Sequence, residues 1–234
     1  MRIGLLGCDD VAEHLKSIAG GYRDMFEALL APHIPNLELV WFDAINGALP
    51  ENPGVCDAYI CTGSRYSVYE SRDWILRLHA HVRELAVAQK PFVGVCFGHQ
   101  VLAQALGGEV ARAEQGWGAG ILEMNVVQSE AWMQPPLERC RLQYMHADQV
   151  QRLPPHSEVL ATAAHCPVAM FRVNRTMLGI EGHPEFPAPY AGALIEARKE
   201  RIGADRSEAA LASLRGPADS DAVARWMANF LRQL

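Results

Sequence analysis

From residue 2 to residue 108 the chain alternates short, unbroken apolar runs with stretches whose apolar residues recur at helical spacing. This alternation narrows the fold more than any other feature. RIGLL, LELVWFDA, VCDAYICTG and PFVGV read in turn as four strands. GGYRDMFEALLAP places Tyr22, Met25, Phe26, Leu29 and Leu30 on one helical stripe, with Pro32 as its stop. SRDWILRLHAHVRELAVAQ puts Trp74, Ile75, Leu78, Val82, Leu85 and Ala86 on a second stripe, with Ser71 as the expected N-cap. HQVLAQAL is the next helix, ended by Gly107 and Gly108. A strand with one wet face alternates apolar and polar residues; these runs do not, so both faces should be covered. The expected fold is α/β, with a mostly parallel central sheet flanked by helices. The polar stretch 8–21, CDDVAEHLKSIAGG, reads as a loop after the first strand, placed where it could close over a site at the carboxyl ends of the strands.

After residue 108 the texture changes. GILEMNVV, CRLQYMH, EVLATAA, VAMFRV and MLGIEGH are short strand-like runs separated by turns, expected to form a smaller antiparallel section attached to the main sheet. A helix follows near 189–201, then DRSEAALASLRG. The terminal helix DSDAVARWMANFLRQL carries Val223, Trp226, Met227, Phe230 and Leu231 on its apolar face and Asp219 or Ser220 as its cap. The only candidate boundary falls near Gly203. It gives a main domain over 1–203 and a helical extension over 204–234 packed on the same domain. At 234 residues and 50% hydrophobic composition, the chain can bury one substantial core.

Charge and cysteine usage exclude several classes. The net charge is -6 and no basic block exists, so a nucleic-acid partner has no electrostatic footprint. No apolar segment reaches bilayer-spanning length, and the apolar part of MRIGLLGCDD is too short for a signal peptide. Six scattered cysteines without a CxxC pair fit a reducing, cytoplasmic setting. The NRT sequon at Asn174 carries no meaning without secretion.

One of the six cysteines has an unusual address. In PFVGVCFGHQVLAQALGG, Cys96 lies between a strand and a helix, within G-V-C-F-G at 94–98. This is the cysteine form of the G-x-S-x-G nucleophile elbow, a tight strand-to-helix turn that needs small residues two places either side of the nucleophile. A thiol there faces a helix N-terminus, whose dipole and free N–H groups favour a thiolate. On this match alone, a packed core thiol and a reactive one are equally good readings. The other five cysteines lack the setting and read as packed. A cysteine nucleophile needs a base. His183, in GIEGHPEF, follows a strand-like run, and Glu185 lies two residues on, on the same face of an extended segment. Glu181 shares that parity and competes for the same role.

GVCFGHQ together with the distant GHPE resembles the class I glutamine amidotransferases over roughly residues 35–190. The resemblance implies their flavodoxin-like fold. It implies Cys96 as nucleophile, His183 as general base and then acid, and Glu185 as the group that orients it. It implies an oxyanion hole from the N–H groups of Phe97 and of Gly63, in CTGS, where Ser64 departs from the glycine-rich family loop. Gln100, the turn GWG with Gly116 and Trp117, and His146 and Asp148 of MHADQV match the family's substrate-contacting positions, with Met145 in place of a serine. For these last residues, turn or core packing stays open beside the functional role. The implied reaction is γ-glutamyl transfer from a small-molecule amide to water through a thioester, and it requires no metal and no organic cofactor.

Residues 61–78, CTGSRYSVYESRDWILRL, are similar to the stand-alone γ-glutamyl peptidases and GMP-synthase-like amidotransferases. The length leaves no room for a synthetase domain beside the amidotransferase fold. The expected activity is therefore hydrolysis of glutamine or of γ-glutamyl peptides and conjugates. The alternatives are a glutaminase subunit feeding ammonia to a separate synthetase partner, and a non-catalytic binding module. The intact Cys96, His183 and Glu185 set argues against the last. The leaving amine and the oligomeric state are not legible.

Overall fold

The computed structural model describes residues 1–233. Its eleven strands among the described residues are β1 (Arg2–Leu6), β2 (Glu38–Phe42), β3 (Ala58–Cys61), β4 (Phe92–Val95), β5 (Glu109–Arg112), β6 (Gly118–Val126), β7 (Arg139–His146), β8 (Asp148–Arg152), β9 (Ser157–Ala163), β10 (Met170–Val173) and β11 (Met177–Ile180). Nine of them form one sheet in the order β2-β1-β3-β4-β11-β10-β9-β6-β7. From β2 to β11 every pairing is parallel. From β11 to β7 every pairing is antiparallel, so the expected antiparallel section continues the main sheet. β4, an interior strand between β3 and β11, is fully buried, as its unbroken apolar run requires.

Helices cover both faces. α1 (Glu13–Ala19), α2 (Tyr22–Leu30), α5 (Ala188–Ala197) and α8 (Ser220–Arg232) bury Leu15, Phe26, Ile195, Trp226 and Phe230 with Ile3, Leu5, Val93 and Val95 in one core layer. α3 (Asp73–Val87) and α4 (Phe97–Ala105) close the other face, with Ile75, Leu78, Val82, Val101 and Leu102 over Leu6, Tyr59 and Phe92. The short α6 (Lys199–Ile202) leads into α7 (Ala204–Ser213), which packs on β6. In α8 the indole Nε1 of Trp226 donates to the Pro135 carbonyl at 2.8 Å.

Three local expectations are corrected, and one pairing is added to them. Residues 8–21 contain α1, which buries only Leu15 and so has no apolar stripe to read. β5 and β8 pair in a separate ribbon, hidden in the sequence because only Val110 of β5, and Gln149 and Val150 of β8, are buried. Ser71 does not cap α3. The helix follows Arg72, and the preceding turn is organised by Glu70, whose carboxylate accepts from Ser67 N at 2.9 Å and Arg72 Nε at 2.6 Å. Asp219 stands at the N-cap of α8 but does not cap it with its side chain. Its Oδ2 accepts from the Arg141 N–H at 2.8 Å and ties α8 to β7 instead.

Candidate active site

The carboxyl ends of β3, β4 and β11 converge on Cys96. The chain leaves β4 and enters α4 through Cys96 alone, at φ 51° and ψ −102°. A non-glycine residue there is strained, a cost of roughly 1–3 kcal/mol that the surroundings must offset. They do so with main-chain bonds: Cys96 N–H donates to Ile180 O at 2.8 Å, and Gln100 N–H returns to Cys96 O at 3.0 Å. The two flanking glycines are required for close approach. A Cβ on Gly94 would overlap the Gly98 carbonyl, and one on Gly98 would overlap the Cys61 carbonyl.

Cys96 is 5% exposed. Burial pushes its thiol well up, and the Glu185 carboxylate pushes the same way, while Arg198 and the Phe97 N–H pull it down less. Burial thus works against the thiolate that the helix N-terminus favours.

His183 lies beside this junction. Its Nδ1 meets Glu185 Oε1 at 2.7 Å, and both side chains are buried. The ring stacks on Phe186 at 3.9 Å between centroids and 7° between planes. The backbone holds it as well, because His183 N–H donates to Gln143 O at 2.7 Å across an isolated bridge to β7. The Gly63 loop passes under the imidazole, and a Cβ at Gly63 would stand 2.9 Å from His183 Cε1. Ser64, the departure in that loop, bonds Cys8 O through its hydroxyl at 2.8 Å and so braces the loop against the end of β1.

The two acidic candidates separate. Glu185 faces His183. Glu181, fully buried, accepts from Gln100 Nε2 at 2.9 Å. His99 Nε2 and His146 Nδ1 come within 3.3 and 3.4 Å of it. Burial pushes both imidazoles down to about 3, so neither supplies a counter-ion. Burial pushes the Glu181 carboxyl well up against the Gln100 bond. A carboxyl in that setting is held as the neutral acid.

A cavity of about 60 Å³ opens onto Cys96, lined by Phe97, Gln100, Trp117, His146 and Asp148 among others. Gln100 spends its amide on Asp148 O and Glu181, both at 2.9 Å, and so shapes the wall. Asp148 accepts from the Ser67 and Tyr69 hydroxyls. Gly116 does not join the lining; its turn, at φ 78°, faces the Arg206 guanidinium. The walls also include residues the sequence did not mark: Arg65, Ser67, Arg112, Arg198 and Arg201. Among the described residues no cluster of three His, Cys, Asp or Glu is arranged to hold a metal ion, and no helix is long and apolar enough to cross a membrane.

A parallel sheet with a strained cysteine elbow and a histidine–glutamate pair at its carboxyl edge defines a nucleophile-elbow α/β protein. Comparison with known proteins gives the family. The model of glutamine amidotransferase class-I matches residues 63–198. γ-Glutamyl peptidase 4 of Arabidopsis thaliana is 30% identical over 182 residues, 75% of this chain and 72% of that protein. A subunit of the glutamine-hydrolysing GMP synthase of Saccharolobus solfataricus is 28% identical over 207 residues, 88% of this chain and 100% of that one. The crystal structure of a glutamine amidotransferase from Thermotoga maritima superposes with a TM-score of 0.76 at 19% identity, covering 99% of this chain and 96% of that one. The chain belongs to the class I glutamine amidotransferase family.

Proposed function

We propose that the protein hydrolyses γ-glutamyl amides through a thioester on Cys96. What carries this reading is the convergence at one junction of a strained cysteine, a buried His183–Glu185 pair and the Gly63 loop. His183 takes the thiol proton as the sulfur attacks the side-chain carbonyl of the substrate. The oxyanion is held by the N–H groups of Gly63 and Phe97. His183 returns the proton to the nitrogen, the C–N bond breaks and the amine leaves. Water, deprotonated by His183, adds to the thioester. The C–S bond breaks, the sulfur takes the proton back from His183, and glutamate is released with the free thiol restored. Glu185 fixes the His183 ring and stabilises its charged form between these transfers.

The relatives fit two acceptors for the same half-reaction. Similarity to the γ-glutamyl peptidases supports a stand-alone hydrolase, which we favour. Similarity over the full length of the GMP synthase subunit supports the alternative of ammonia delivery to a synthetase partner. The test is release of glutamate by the purified chain alone from glutamine and a panel of γ-glutamyl dipeptides. Turnover without any added protein is the expected result. Inertness across the panel, relieved only by a synthetase, would favour the ammonia-delivery reading instead.

A further inference from the structure

Beside the Cys96 cavity lies a second recess of about 200 Å³, lined by Tyr22, Tyr190, Arg65, Arg198 and Arg201 among others. The two spaces share those three arginines as a common wall. The recess is on the histidine side of the nucleophile. Tyr22 packs toward Phe186, which stacks on His183, and the Tyr22 hydroxyl lies 3.7 Å from where a Gly63 Cβ would stand. The group that His183 protonates as it departs must lie on that side. The rest of the Cys96 cavity lining, with His146 and Asp148, is then left for the glutamyl half.

Size and charge say what fits there. Ammonia is no larger than water, which takes about 30 Å³. A recess of about 200 Å³ is therefore far more than glutamine's leaving group can use. The acids around it are already partnered: Asp9 is bonded by the Arg65 side chain and main-chain N–H, and Asp10 pairs with Lys16. Arg198 and Arg201 have no carboxylate oxygen within 4.0 Å among the described residues; Arg201 sits over the Trp117 ring at 5.5 Å. Arg198 lines both the Cys96 cavity and the recess, and so stands on the wall they share.

Resting on the γ-glutamyl hydrolase reading, we propose that Arg198 and Arg201 bind a carboxylate of the leaving group. The preferred substrate is then a γ-glutamyl amino acid or peptide whose amine half carries a free carboxylate, with glutamine a poorer one. Guanidinium–carboxylate bonds are charge-assisted, and their geometry favours a planar, two-oxygen partner.

The test is kcat/KM of the full chain on γ-glutamyl-glycine, on the neutral γ-glutamyl-glycinamide, and on glutamine. Wild type should prefer the glycine compound over its amide by tenfold or more. In the double variant Arg198→Gln, Arg201→Gln that ratio should fall to within about threefold. The ratio is read within one preparation, so partial misfolding does not move it. A wild-type ratio near one, or a ratio that survives in the double variant, overturns the assignment while leaving γ-glutamyl hydrolysis standing. Equal loss on all three substrates also overturns it, since the arginines would then read the glutamyl half. Absence of turnover on all three overturns both readings.

Discussion

Glu181→Gln tests whether a fully buried carboxyl beside Cys96 is held as the neutral acid. Its Oε1 accepts from Gln100, its Oε2 has no hydrogen-bond partner, and the two imidazoles near it are held neutral. The folded-state pKa lies well above the ordinary value of 4.5. The sign follows from linkage. Between the unfolded and folded values, the native chain holds a proton that the unfolded chain has released, so stability falls as pH rises. The slope from one such group is about 1.4 kcal/mol per pH unit. Glutamine does not titrate and keeps the accepting oxygen. The stability of Glu181→Gln relative to wild type should therefore grow between pH 5.5 and pH 6.5, by up to about 1.4 kcal/mol. Urea unfolding at the two pH values reads this directly, because contributions shared by both proteins cancel in the difference. Stability curves that stay parallel across this interval would show that Glu181 is ionised in the folded protein, and the account of its site would be wrong.

Three further outcomes are expected. Glu185→Gln should lower kcat on γ-glutamyl substrates by roughly 10³–10⁴ with little change in KM or circular dichroism, because the amide can hold His183 in the wrong tautomer; a loss below tenfold would remove Glu185 from the mechanism. Gly98→Ala should cost about 1–3 kcal/mol in urea unfolding, since the added methyl meets the Cys61 main chain, which can yield only by shifting β3; an unchanged midpoint would contradict the close packing of the elbow. His99→Gln should flatten the acid limb of stability. Buried His99, pushed down to about 3, stays neutral while the unfolded histidine charges below its usual 6.5, so stability is lost as pH falls through that range. The variant should lose about 1.4 kcal/mol less per pH unit between pH 6 and pH 4, and an identical slope would show that His99 charges in the folded state.

The parallel sheet is readable because its strands carry no polar alternation, and the elbow because two glycines at fixed spacing leave little else for the chain to do. Other parts depend on neighbours far apart in the chain. Spacing puts Glu181 and Glu185 on one face of His183. Only the approach of Gln100 from α4 decides which acid turns away. Arg198 and Arg201 look like part of a solvated run in EARKERIG. They become a pocket wall because α5 and α6 pack over the carboxyl ends of the sheet. Gly116 matches a family position by its neighbours in sequence, yet its turn faces Arg206 on α7. The expected thiolate rests on the helix end alone. The burial and the Glu185 carboxylate that oppose it come from the enclosing core and the segment after β11.

Rapid acid quenching of the enzyme during turnover of a γ-glutamyl substrate, followed by mass spectrometry of the peptide containing Cys96, tests the thioester itself. One glutamyl group on Cys96, absent from Cys96→Ser, together with loss of glutamate release in that variant, is the expected result. Glutamate release that persists in Cys96→Ser, or a glutamyl group found on any other residue, would contradict Cys96 as the nucleophile.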